Sequence, residues 1–171
     1  MHWSGIGATL AVSVTLGLVA GCDDEPLGLD DDLPPADGAE LWSYVNEQGY
    51  QEAWDLWPGR GELYEGTDPH GMLLTTYVND RAVEALTMGA AAMPAGAIVV
   101  KENYMPDGTL VAVTTMYKVQ GFNPDANDWF WLKNDPVGVI EVEGAVAECI
   151  GCHGGAADFD YLWLRQQDES R

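Results

Sequence analysis

The stretch Ala97-Ile98-Val99-Val100-Lys101-Glu102-Asn103-Tyr104 decides the fold. β-branched residues crowd it and neither glycine nor proline interrupts it after Ala97, which is the composition of a strand. Pro106-Asp107-Gly108 follows as a turn, and Leu110 to Lys118 reads as the returning strand. The two form an antiparallel hairpin. Outward from it, Asp128-Trp129-Phe130-Trp131-Leu132 gives another strand after a turn region at Gly121 to Asn127. On the other side, Pro69-His70-Gly71 is a turn leading into the strand Met72 to Val78.

Helical patterns flank these strands. Asp37 caps a helix carrying Leu41, Trp42 and Val45 and then Trp54 and Trp57, with a break near Gly49 and an end at Pro58-Gly59. Gly61 to Thr67 reads as a polar loop. Asn79 caps a helix through Ala82, Val83, Leu86 and Met88, ended by Met93-Pro94-Ala95-Gly96. Tyr161-Leu162-Trp163-Leu164 closes the domain. Strands with helices before and after predict an α+β fold, an antiparallel β-sheet with flanking helices. We expect one domain over residues 37–171, with no internal repeat.

Cys149-Ile150-Gly151-Cys152-His153 carries the chemistry. It is a C-x-x-C-H run, the attachment signature of a c-type haem. Two thiols at that spacing can form thioethers to the two vinyl groups on one porphyrin edge. The histidine that follows is then placed to ligate the iron. The competing readings are a Cys149–Cys152 disulfide and half of a zinc site. A redox C-x-x-C would open a helix after a strand in a thioredoxin-like pattern, and this run comes at the end of a strand-rich chain. A zinc site needs a second ligand cluster, and the chain has only three cysteines. The expected cofactor is therefore haem c, one per chain, held by Cys149 and Cys152, with His153 on the metal. The run sits on a short helix expected from about Gly144.

The third cysteine belongs to the other end. Ile6 to Ala20 is apolar, uncharged and short, and ends in Val19-Ala20-Gly21-Cys22. That is a secretory signal rather than a spanning helix. Small residues directly before Cys22 resemble a bacterial lipobox, although the segment ahead of the apolar run lacks Lys and Arg. The resemblance implies a lipoprotein signal peptide over residues 1–21 and lipidation of Cys22. The protein would then be a periplasmic or cell-envelope lipoprotein anchored to the membrane at Cys22. Residues 22–36 follow as an acidic, proline-rich tether with Asp23, Asp24, Glu25, Asp30, Asp31 and Asp32. Such a composition cannot bury a core.

Charge narrows the partners. Seven basic residues against 28 acidic ones give a net charge of −21. Nucleic acid is excluded as a partner because little on the chain would neutralise phosphates. Seven tryptophans suit the lining of a flat cofactor.

Three stretches carry a family resemblance. They are Pro94-Ala95-Gly96-Ala97-Ile98-Val99-Val100-Lys101-Glu102, Asn127-Asp128-Trp129-Phe130-Trp131 and Glu148-Cys149-Ile150-Gly151-Cys152-His153. Together they resemble the cytochrome P-460 family, whose fold is shared with the beta type of cytochrome c-prime. The resemblance covers about Leu73 to Leu164. It implies a haem-bearing antiparallel sheet with flanking helices, a homodimer, and an iron with a histidine below and an open pocket above. In members that oxidise hydroxylamine, a strand lysine is covalently joined to the porphyrin, and the matching position is Lys101. Two positions depart from the pattern. A pocket carboxylate falls at Thr114 and a pocket arginine at Leu74, which leaves the pocket less polar and puts proton relay in doubt.

Read from the residues alone, Lys101 ends an apolar strand and shares a face with Val99, where a lysine is commonly solvated at the sheet rim. Glu102 faces the other side as a structural residue. His70, between Pro69 and Gly71, reads as a turn histidine making local hydrogen bonds rather than a distal ligand. Met72, Met88, Met93, Met105 and Met116 are gap-filling core residues that include candidate sixth ligands. Trp129, Phe130 and Trp131 alternate faces, so one face can pack a haem.

Three functions remain open at this point. One is oxidation of hydroxylamine or a similar small nitrogen compound at an open iron, with electrons passed to a periplasmic acceptor. The second is binding of nitric oxide or another small gas without turnover. The third is simple electron transfer with methionine ligation.

Overall fold

The expected hairpin forms the centre of the sheet. The computed structural model describes residues 33–169 together with Met1 and His2. The signal peptide expected over 1–21, lipidation at Cys22 and the tether up to Asp32 lie outside the described residues. The end of the expected tether is already tied to the domain, because the Tyr117 hydroxyl donates to the Pro34 carbonyl at 2.9 Å. No described helix is long and apolar enough to cross a membrane.

The chain opens with α1 (Gly38–Glu47), α2 (Tyr50–Ala53), β1 (Asp55–Leu56), β2 (Tyr64–Glu65) and β3 (Leu73–Val78). It continues with α3 (Asp80–Thr87), β4 (Ile98–Tyr104), β5 (Leu110–Lys118), β6 (Trp129–Asn134) and β7 (Ile140–Gly144). It ends with α4 (Ala147–His153), a 3-10 turn at Gly154–Phe159 and α5 (Trp163–Glu169). The strands run in the order β1-β3-β4-β5-β6-β7, all antiparallel, with β2 also on β3. The expected α+β class, an antiparallel sheet with flanking helices, is what forms.

Strand alternation gives the sheet two faces. Ile98, Val100, Val113, Tyr117, Phe130 and Leu132 point to one core, covered by Leu41 and Val45 of α1. Val99, Met116, Trp129 and Trp131 point to the other, where α3, α4 and α5 pack. The side chain of Asp37 caps α1 by accepting from Ala39 N and Glu40 N, and that of Asn79 caps α3 by accepting from Ala82 N. Both caps satisfy donors that a helix start leaves open.

Three expectations need correction. Trp54 and Trp57 do not continue the first helix. The chain turns extended at Trp54, β1 pairs with β3, and Trp57 N donates to Thr76 O at 2.8 Å. Covering the edge of β3 outweighs the aromatic spacing that suggested a helix. The polar loop from Gly61 contains β2, which pairs with β3. β7 was not expected, because its Ile-Glu-Val-Glu-Gly sequence is an exposed edge and lacks a continuous apolar face.

Candidate haem site

A cavity of about 580 Å³ opens between the second face of the sheet and the C-terminal helices. This is within the size range of small-molecule and cofactor sites. Its sheet wall is a row of paired residues. Thr76 lies opposite Lys101, Lys101 opposite Thr114, and Thr114 opposite Lys133. Val99, Met116 and Trp131 line the cavity beneath that row, and α4 contributes Cys149, Cys152 and His153.

Spacing on α4 explains the second wall. Residues three and four apart share a helix face, so Cys149, Cys152 and His153 all reach the cavity. The two thiols are free; Cys149 is half-buried and Cys152 exposed. Burial pushes the Cys149 thiol up. His153 is buried, and its Nδ1 donates to the Tyr161 carbonyl at 2.7 Å. A carbonyl only accepts, so Nδ1 carries the hydrogen and Nε2 presents its lone pair. Burial holds the ring neutral, pushing its pKa down to about 4. The Trp131 ring stands edge-on to His153, with centroids 4.7 Å apart.

The carbonyl that orients His153 is itself fixed. Asp160 and Tyr161 both take left-handed backbone conformations, with φ of 56° and 63°. The Asp160 carboxylate accepts from Lys118 Nζ at 2.6 Å, Asn127 Nδ2 at 3.0 Å and Met93 N at 2.7 Å. Trp129 Nε1 donates to the Asp160 carbonyl at 2.9 Å, and Lys118 lies over the Trp129 ring. Three segments of the sheet side thus converge on the carboxylate of the residue before Tyr161, whose carbonyl holds His153. None of these contacts follows from local pattern, since each spans more than thirty residues.

Lys101 is half-buried in the cavity wall rather than solvated at the rim. Burial brings its pKa down to about 8, so its free amine is more available than in an ordinary lysine. Glu102 points into the opposite core, as expected. It accepts from Tyr50 at 2.9 Å, Gln51 at 2.5 Å and Tyr104 at 2.5 Å. Burial, reinforced by Glu102, pushes the Tyr77 hydroxyl up to about 12.

His70 departs from its sequence reading. Its Nδ1 does not bond locally; it lies 2.9 Å from Asn103 Oδ1, across the β3–β4 pair, and the ring lines the cavity. Burial brings its pKa down to about 4. Neither local pattern nor strand register points to this contact, because the β3–β4 pairing sets Asn103 opposite Leu74. Met72, Met105 and Met116 line the cavity, whereas Met93 is buried in the core and Met88 is exposed. Thr114 lines it too, and Phe130 faces the other core.

One further atom bears on what fills the cavity. Trp131 Nε1 is buried and has no hydrogen-bond partner. A buried donor left unpaired costs about 1–3 kcal/mol, and a haem brings carboxylate groups that accept. Free thiols, a neutral imidazole with a free Nε2, a waiting N–H donor and a cavity of cofactor size all fit a haem. The family model described as Cytochrome P460 matches residues 48–164, which include every strand and both cavity histidines. The chain belongs to the cytochrome P460 family. Membership makes the protein a haem cytochrome. No curated protein matches the chain.

Proposed function

We propose that this cytochrome P460 protein is an exported mono-haem c-type cytochrome. In this reading it oxidises hydroxylamine or a similar small nitrogen compound and passes the electrons to a periplasmic acceptor. The observation that carries the reading is Lys101, half-buried in the cavity wall with its pKa lowered to about 8.

A haem bound here supplies an iron that takes a nitrogen ligand and carries electrons away. Cys149 and Cys152 would hold it through thioethers, and His153 Nε2 would ligate the metal. Tyr161 fixes the His153 tautomer and keeps the ring basic, as outer hydrogen bonds do for metal-bound imidazoles. Lys101 Nζ would join a porphyrin carbon: the new N–C bond replaces one N–H and one C–H, and a two-electron oxidant such as hydrogen peroxide, supplied during maturation, would carry off the two hydrogens as water. The bond would alter the electronics of the macrocycle in favour of oxidation. The partners are the nitrogen compound, the acceptor, a membrane reached through lipid on Cys22, and a second copy of the chain.

The test uses holoprotein matured in its native host. Wild type should reduce an added electron acceptor when given hydroxylamine, and Lys101→Leu should keep its haem and lose turnover. Equal turnover by Lys101→Leu would remove Lys101 from the chemistry. Absence of turnover in wild type would favour binding of nitric oxide or another small gas. The apolar residues Val99, Met116 and Leu162 around the cavity also suit that reading.

A further inference from the structure

The cavity beside α4 adjoins a smaller one of about 360 Å³, with Tyr64, Leu74, Trp163 and Leu164 on its wall. His70 and Lys101 line both, so His70 stands where the two spaces meet. Its turn is pressed against the sheet. A Cβ on Gly71 would collide with Tyr104 N, so only glycine allows that approach to β4.

The hydrogen bonds around His70 define what it can offer a small molecule. Asn103 is buried and places Nδ2 at 3.0 Å from the Lys101 carbonyl and 3.1 Å from the Ala112 carbonyl. Both carbonyls only accept, so that atom must be the amide nitrogen, and the amide oxygen faces His70. The oxygen only accepts in turn, so His70 Nδ1 carries the hydrogen. In the neutral ring Nε2 then holds a lone pair. It makes no hydrogen bond among the described residues. Such a nitrogen accepts a hydrogen bond and cannot donate one. Other polar groups on the wall are already engaged or exposed. The Thr76 hydroxyl lies 2.6 Å from that of Tyr64, and Asp68, Glu141 and Glu148 are exposed.

We propose that His70 sets ligand specificity in this cavity, accepting a hydrogen bond at Nε2 from a small nitrogen compound that carries N–H or O–H. Hydroxylamine has such hydrogens. Nitric oxide has none and gains nothing from an acceptor. His70 is a positioning residue here, and the metal stays open to the ligand. Asn103 acts through His70 by holding the tautomer. The proposal rests on the haem reading of the cavity and deepens the hydroxylamine reading, since it separates that ligand from a gas.

The test is optical titration of the ferric holoprotein with hydroxylamine, by rapid mixing without an electron acceptor, and in parallel with nitric oxide without oxygen. His70→Leu should bind hydroxylamine about five- to tenfold more weakly, the worth of one hydrogen bond, and leave nitric oxide affinity unchanged. Asn103→Leu, which keeps the ring and frees it to turn, should shift selectivity in the same direction. It carries the same test if His70→Leu yields no holoprotein. Unchanged hydroxylamine affinity in His70→Leu would overturn the proposal. Equal loss of both ligands would overturn it too, because His70 would then act by shape alone. Binding is read apart from turnover. A protein that discriminates through His70 without oxidising hydroxylamine leaves this assignment standing and sinks the oxidase reading, and turnover with no His70-dependent selectivity does the reverse.

Discussion

His153 donates its Nδ1 hydrogen to the Tyr161 carbonyl at 2.7 Å, and the residue before Tyr161 anchors that carbonyl to the sheet. The anchor is the buried pair of Lys118 and Asp160, 2.6 Å apart. Asp160 thus links the sheet to His153, although it lies in neither the sheet nor α4.

Asp160→Ala should therefore be costly. It strands Lys118 in a buried position and leaves Met93 N and Asn127 Nδ2 without their acceptor. Removing one partner of a buried ion pair costs about 3–5 kcal/mol. Denaturant unfolding of the holoprotein measures it as a lower midpoint. A loss below about 1 kcal/mol, the value of an exposed pair, would show that the cluster is not what holds the turn.

Trp131→Phe keeps the ring beside His153 and removes the orphan N–H. If that donor serves a haem carboxylate, the variant should retain its haem while its reduction potential and propionate vibrational bands shift. Resonance Raman spectroscopy and redox titration read both. No change in either would mean that Trp131 Nε1 has no partner on the haem.

The sheet was legible in the sequence because β-branched runs and turn residues are local signals. The hairpin at Ile98–Tyr104 and Leu110–Lys118 and both side-chain helix caps fall where those signals put them. The placement of Cys149, Cys152 and His153 on one helix face at the cavity was legible, because residues three and four apart share a face. The supporting residues were not, for a physical reason. His70 meets Asn103 across 33 residues, and Lys118 meets Asp160 across 42. Only strand pairing and the return of the C-terminal turn bring them together. β7 was hidden because one paired edge and an exposed face leave no apolar run to read.

Thioether attachment predicts that denatured holoprotein keeps its haem through acid–acetone extraction. Cys149→Ser with Cys152→Ser should release it. In His153→Ala the haem should stay attached while the optical spectrum changes, because the proximal ligand is gone. A spectrum identical to wild type would remove His153 from the iron.

Lipidation predicts that the protein of the native host sediments with membranes and that Cys22→Ser releases it to the soluble fraction. The lipobox before Cys22 motivates this expectation. A soluble, unmodified native protein beginning elsewhere would contradict it.

The most direct measurement is mass spectrometry of haem peptides from holoprotein matured in its native host. Tryptic digestion should yield one haem-bearing species that contains both the Cys149–His153 segment and a second peptide carrying Lys101. Recovery of Lys101 in a normal, unmodified peptide, with the haem on the Cys149–His153 segment alone, would contradict the cross-link and with it the oxidase reading.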